Sequence, residues 1–390
     1  MKTLAKDVTF IYSDSAEKAI FDPLVEEAKK RGYKVKLTDN KFEKCEIGVY
    51  CQHVNFPQFS KFSVIMLHDI IQQYSNWPDL WFKEPWNKYD VGILPSDRWV
   101  ENWNQCSHLY YAVPRKGMYK VGWPKADKFA NIRTEEKRNT FYEEYGLDKS
   151  KKTVLYAPAW ENDGKQDEFV QAMLKLDVNI LIKQWDAPEE KFPHIVKNIR
   201  EMAALHKDIQ GVTVLDPSMN IFEAIAVSDI LVSEESSTMC EAIMMGVPAV
   251  SVSNWMIPDV TPSRYPQCDY DFVIMTKKEE LTACVDKILK DYSTYKKEAE
   301  DYSANNFSNI GQSSKMIMDI IDDCVEGKTV RYPEIKPNPN RKISFERRMK
   351  HIIECIIIEL FNNYKVRYKS VEMIYKVYRA VMDMVQKIKK

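Results

Sequence analysis

Residues 233–252 read SEESSTMCEAIMMGVPAVSV. The segment DILVS (229–233) has the pattern of a buried strand, Glu234 to Ser237 that of a turn, and Thr238 to Met245 that of a helix closed by Gly246 before the next strand. Three hydroxyls, Ser236, Ser237 and Thr238, therefore stand at a helix amino terminus on the carboxyl edge of a sheet. Unpaired backbone N–H groups and the positive end of the helix dipole attract an anion there, and hydroxyls add donors without bulk. A pyrophosphate is the natural occupant. The same grammar supports a plainer reading, in which Ser236 or Ser237 only caps the helix. Glu241, one turn in, is either a solvated helix residue or a group that reaches a nucleotide ribose.

A second candidate closes another strand. SVIMLHDII puts His68 at the end of a buried run, facing a cleft if the sheet is parallel. An imidazole there is a hydrogen-bonded structural group or a proton acceptor. Asp69 either orients that ring or serves as the base itself. YAPAWEND sets Ala157 and Pro158 at a strand end, the usual place for backbone contacts to a nucleotide diphosphate. Trp160 stacks on a base or packs in its loop, with packing preferred. The remaining histidines, His53, His108, His194, His206 and His351, lack metal-ligand spacing.

The elements that must carry these residues alternate in type. Short β-branched runs (VTFIY, YKVKL, IGVYC, FSVIML, VGIL) share the first part of the chain with a helix-like stretch at 15–31. After the charged segment 133–152 a second series begins: TVLYA, VNILIK, VTVL, DILVS, PAVSV and FVIM, with helical stretches at 191–207, 219–227 and 238–246. This alternation predicts two α/β domains with parallel sheets, and the length of 390 residues suits two cores better than one. We place the first domain at 1–148, the second at 149–330, and a linker with a helical tail at 331–390. The linker reading rests on RYPEIKPNPNRK, with three prolines among polar neighbours. No G-x-G-x-x-G opens a helix, which argues against a Rossmann dehydrogenase.

Charge is unevenly distributed. Residues 341–390 hold 13 Lys/Arg against 5 Asp/Glu, leaving 43 against 52 in residues 1–340. The eight cysteines show no C-x-x-C pair, and reduced thiols in a cytoplasm are the expectation. Apolar stretches, including HIIECIIIELF, are interrupted by charge before the ~20 residues a membrane span needs.

The ordered set of motifs resembles the CDP-glycerol glycerophosphotransferase family, the teichoic acid primases and polymerases of the GT-B superfamily. KYDVGILPSDRWVENW (88–103), YKVGWPKADKF (119–129), TVLYAPAWEND (153–163), NIFEAIAVSDILVSEESS (220–237) and FSNIGQSSKMIMDII (307–321) are similar, in this order, to segments of that family. The resemblance covers roughly 60–325. It implies a GT-B fold, two Rossmann-like domains facing a cleft, with the nucleotide held mainly by the second. It also implies a transferase needing no cofactor and no bound metal, and a donor such as CDP-glycerol. His68, with Asp69 in place of the family's glycine, takes the position of the family's proposed base. Lys183 in ILIKQWDAP matches the family's lysine, but Trp185 stands where the family has a phosphate-contacting histidine. An indole donates one hydrogen bond and carries no charge. Either Lys183 takes the phosphate role, or the donor differs, or activity is lost.

The basic tail has helical spacing with apolar faces, which suits an anionic membrane surface. Packing on the first domain or against a second subunit are the alternatives. The acidic body offers no nucleic-acid groove. The expected protein is a cytoplasmic enzyme, peripheral on the inner face of the membrane. It would transfer glycerol phosphate, a related polyol phosphate or a sugar from a nucleotide donor to a lipid-linked acceptor in the synthesis of teichoic acid or a capsule-like polymer. A UDP-sugar 2-epimerase-like isomerase and a degenerate, non-catalytic family member are its rivals.

Overall fold

The structure is a computed structural model. It describes residues 4–13, 15–51, 55–67, 84–105, 112–130, 132–162, 164–234, 236–255 and 272–337, together with Ile70, Ser107 and a few positions between 344 and 353. The β-branched runs form two parallel six-stranded sheets. In the first, β1 (Asp7–Ile11), β2 (Lys34–Thr38), β3 (Cys45–Cys51), β4 (Ser60–Met66), β5 (Val91–Leu94) and β6 (Met118–Lys120) lie in the order β2-β1-β3-β4-β5-β6. In the second, β7 (Lys152–Tyr156), β8 (Val178–Ile182), β9 (Val212–Val214), β10 (Ile230–Ser233), β11 (Ala249–Val252) and β12 (Val273–Thr276) lie in the order β12-β11-β10-β7-β8-β9. This is the GT-B arrangement expected from the sequence.

Alternation along the second sheet divides its burial between two faces. Leu155, Leu181, Leu231 and Ala249 join an apolar core continuous with that of the first sheet. Val154, Tyr156, Ile180, Ile182, Val232 and Val250 face the opposite side, with Phe169, Val285 and Ile288. Strand order reverses between β7 and β10, whose registers pair Leu155 with Leu231 and Tyr156 with Val232. In open α/β sheets a crevice opens outside the carboxyl ends of the strands at such a switch point.

Helix α1 (Ser15–Lys30) covers the first sheet, and α2 (Asp97–Asn104) follows β5, with the Ser96 hydroxyl accepting from Trp99 N at 3.4 Å. The charged segment 133–152, which carried no predicted element, contains α3 (Glu135–Tyr145). Thr134 caps it, accepting from Lys137 N, and Gly146 ends it at φ 64°. Helix α4 (Lys165–Met173) also lacked a sequence signal. The second sheet further carries α5 (Pro193–His206), α6 (Ile221–Val227), α7 (Thr238–Met244), α8 (Leu281–Lys290) and α9 (Tyr292–Asn306).

Helix α10 (Ser313–Val325) returns to the first sheet and packs on α1. Arg31 Nη1 lies 2.8 Å from both Asp319 Oδ1 and Asp322 Oδ2 across that contact. The proline-containing segment is not a free linker where it is described. Arg331 forks onto Asp323, and Ile335 pairs antiparallel with Met118, its N–H donating to Met118 O at 2.8 Å. Ile335 thereby covers part of the open edge of β6. The tail beyond residue 353 lies outside the described residues. Among the described residues no helix is long and apolar enough to cross a membrane.

Candidate active site

The loops after β7 and β10 meet at the switch point of the second sheet, and side chains bind them together. Ser233 Oγ donates to Ala157 O at 2.7 Å, and Ser251 Oγ donates to Glu234 O at 2.8 Å. Glu234 itself is fully buried. Its Oε1 accepts from Ala159 N at 2.9 Å, from Trp160 N at 3.4 Å and from Lys165 Nζ at 3.1 Å. One carboxylate thus clamps the loop after β7, the turn after β10 and the start of α4. Burial raises the Glu234 pKa above the ordinary carboxylate value, against the lowering effect of Lys165.

The hydroxyl turn rests on this clamp. Ser237 occupies the N-cap position of α7 with helical backbone angles (φ −62°, ψ −16°) and makes no capping bond, so the simple capping role does not hold for it. Ser236 Oγ accepts from Thr238 N at 3.3 Å, a local turn contact, and from Thr238 Oγ1 at 2.9 Å. Thr238 Oγ1 also lies 3.5 Å from Ala157 O. Ser236, Ser237 and Thr238 remain half-buried beside the backbone of Ala157, while Ala157 and Pro158 are buried.

Glu241 is not a solvated helix residue. It is 2 % exposed, and its Oε1 lies 2.6 Å from Lys125 Nζ of the GWPKAD turn that follows β6. The same ammonium sits 4.9 Å from the centroid of the Phe222 ring on α6. Lys183 is also buried, but it donates to Gln184 O at 2.8 Å and to Pro217 O at 2.6 Å. Among the described residues no hydrogen bond joins it to the hydroxyl turn, and burial lowers its pKa. Trp185 packs with Trp160 (5.3 Å between centroids) and Phe192 (5.2 Å), in agreement with a packing role for Trp160. His68 and Asp69 lie outside the described residues. β4 ends at Met66, and Ile70 O accepts from Trp99 Nε1 at 2.6 Å.

A polar network beneath this edge went unread in the sequence. Glu161 accepts from Tyr156 OH, from Gln184 Nε2 (both 3.0 Å) and from Gln166 N (3.2 Å). Gln184 Nε2 also donates to Gln166 Oε1 at 2.6 Å, which orients the Gln166 amide so that its Nε2 donates to His206 Nδ1 at 2.9 Å. His206 Nε2 then donates to Asp167 Oδ1 at 2.9 Å. Burial raises the Glu161 pKa. The one signal available for the clamp was an acid directly after a buried strand, in SEES. Nothing in the sequence linked it to Lys165 or linked Glu241 to Lys125.

The two parallel sheets define a GT-B fold. Comparison with known proteins narrows the class: residues 68–254 match the family model of CDP-Glycerol:Poly(glycerophosphate) glycerophosphotransferase. The wall teichoic acid polymerase TagF superposes with a TM-score of 0.55 at 13% identity, over 83% of this chain and 90% of that one. A TagF variant soaked with CDPG gives 0.56 at 14%, over 83% and 89%. The S. aureus MnaA–UDP co-structure gives 0.59 at 12%, over 84% and 99%, and a putative UDP-N-acetylglucosamine 2-epimerase from Listeria monocytogenes gives 0.58 at 14%, over 85% and 99%. At such identities these likenesses speak for the shared fold alone. No curated protein matches the chain by sequence. Over that segment, just under half of the chain, the sequence is similar to the CDP-glycerol glycerophosphotransferases, on a fold shared with TagF.

Proposed function

We propose that this transferase moves glycerol phosphate, or a related polyol phosphate or sugar, from a CDP-linked or similar nucleotide donor to a lipid-linked acceptor in the synthesis of teichoic acid or a related surface polymer. The observation that carries the reading is the Ser236–Thr238 turn at the switch point between β7 and β10, inside the segment that matches the family. With a CDP-polyol donor the acceptor hydroxyl attacks the transferred phosphorus, the bond to the nucleotide's phosphate oxygen breaks, and CMP departs; with a sugar donor the hydroxyl attacks the anomeric carbon and the nucleotide departs on its phosphate oxygen. His68, with Asp69, takes the acceptor's proton. Ser236, Ser237, Thr238 and the amides that open α7 hold the departing phosphate, and the Ala157–Pro158 backbone shapes the wall beside it. Glu241 faces the donor ribose. Lys183, tied to two carbonyls, secures the end of β8 to Pro217 rather than gripping the phosphate directly. The basic segment 341–390 brings the enzyme to the anionic inner surface of the membrane, where a lipid-linked acceptor resides.

The test is incubation with CDP-glycerol, CDP-ribitol, CMP-sugars and UDP-sugars, with and without a lipid-linked acceptor, while nucleotide release is followed. Acceptor-dependent release from a CDP-linked donor, together with at least tenfold weaker donor binding after Ser236→Ala plus Ser237→Ala, is the expected result. Unchanged donor affinity in that double variant removes the phosphate assignment. Sugar interconversion without an acceptor favours the epimerase-like alternative that the shared fold permits. Release from no donor favours a non-catalytic member.

A further inference from the structure

The acid that we assign to the donor ribose is not held by its own domain alone. Lys125 lies on the turn Pro124–Lys128, directly after β6 of the first sheet, and reaches Glu241 Oε1 across the domain boundary at 2.6 Å. The pair is shielded, with 24% of the Lys125 side chain and 2% of the Glu241 side chain exposed. The Phe222 ring, itself packed on Phe129 at 4.4 Å, lies beside the ammonium. A charged pair in such surroundings restricts the carboxylate far more than an exposed pair does.

The turn is in turn bound to the rest of the interface. Asp127 accepts from Ser313 N at 3.0 Å and from Ser314 N at 2.6 Å, at the start of α10. Lys128 Nζ lies 2.7 Å from Asp22 of α1. Gly122, at φ 131°, lies so close to the chain that an added Cβ would sit 2.4 Å from Ser308 O. The ribose acid is therefore connected through one lysine to the first sheet, to α1 and to the returning helix.

We infer that Lys125 is a positioning residue for donor binding: it fixes the Glu241 carboxylate for the ribose hydroxyls, so that the first domain sets nucleotide recognition in the second. Lys125 needs no contact with the nucleotide for this. Its Nζ holds Oε1, and nucleotide binding must uncover the enclosed carboxylate for the ribose hydroxyls to donate to it. The inference rests on the assignment of Glu241 to the ribose, and the test separates the two.

Calorimetry compares CDP, or UDP where that binds instead, with its 2′-deoxy and 3′-deoxy forms, using wild type, Lys125→Met and Lys125→Arg. A hydrogen bond to a charged group predicts that the wild type binds the ribonucleotide about tenfold or more tightly than one of the deoxy forms. K125M should reduce that ratio to about two while leaving deoxy-nucleotide binding little changed, and K125R should restore it. A lysine that only glues the domains together would weaken all the nucleotides alike, so an unchanged ratio in K125M overturns the inference while leaving the ribose assignment standing. A wild type that does not discriminate among the forms, or that binds neither nucleotide, overturns both. If K125M does not fold, Lys125→Gln, which keeps the reach without the charge, reads the same ratio.

Discussion

Replacing Lys165 with Met tests whether Glu234 is the clamp of the donor edge. The pair is buried on both sides, with side-chain exposures of 5% and 0% and an Nζ–Oε1 distance of 3.1 Å. At an effective dielectric constant near 20, two unit charges at that separation attract by about 5 kcal/mol, a gross figure from which desolvation must be subtracted. Removing the ammonium leaves the carboxylate, among the described residues, with the Ala159 and Trp160 amides. A bare buried carboxylate avoids the full loss by taking up a proton. Relative to an unfolded chain with the ordinary glutamate pKa of 4.5, that proton costs about 3 kcal/mol at pH 7, at 1.36 kcal/mol per pH unit. The destabilisation by K165M should therefore be about 3 kcal/mol at pH 7. In the variant the Glu234 pKa is raised further above its unfolded value, so the native state binds more protons and gains stability as the pH falls. The deficit should shrink by roughly 1.4 kcal/mol per pH unit and fall below about 1 kcal/mol near pH 5. The double variant K165M/E234Q, which carries no charge at the site, should recover to within about 1 kcal/mol of wild type at pH 7. Urea unfolding at pH 5, 6 and 7 gives the free energies, and amide exchange in β7 and β10 locates the loss. A deficit under 1 kcal/mol at pH 7, a deficit independent of pH, or no rescue by E234Q would show that the carboxylate is stabilised by something other than Lys165.

Two more consequences concern the first sheet's layer and its contact with α10. Glu84 is 1 % exposed, accepts from Tyr89 OH at 2.6 Å, and has its pKa pushed up to about 7 by burial. Because the folded pKa lies above the unfolded one, its contribution is full below pH 4.5 and is lost by pH 7, a fall of about 3 kcal/mol that Glu84→Gln should abolish in denaturation curves taken across that range. Asp127→Asn weakens the cap on Ser313 N and Ser314 N and should cost about 1–2 kcal/mol, read as faster amide exchange at the start of α10; unchanged exchange there would remove Asp127 from that role.

Most of the strands and the order of the motifs were legible because both depend on local pattern. A β-branched run between turns commits to a strand, so VGIL, DILVS and PAVSV appear where expected. The helices that escaped notice are those whose local signal is weak. In α3 charged residues obscure the apolar face, and in α4 Gly164 at φ 73° takes the N-cap position without a side-chain cap. The proline-containing segment read as a linker because its composition forbids regular structure, yet Arg331 and Ile335 bind it to α10 and to β6.

The site divides along the same line. Hydroxyls after a buried strand and before a helix are contiguous in sequence, so SEESST and its ordered neighbours were sufficient to propose an anion-binding turn and a family resemblance. Partners separated by many residues were not. Glu234 meets Lys165 because parallel strands bring distant loops to one edge, Gln166 meets His206 because α4 packs on α5, and Glu241 meets Lys125 because the chain closes the two sheets' layers on each other. A single sequence records which side chains are present at each strand end. Which of them lose their water, and to which opposite charge they are held when they do, is settled by packing across each sheet and between the two sheets' layers.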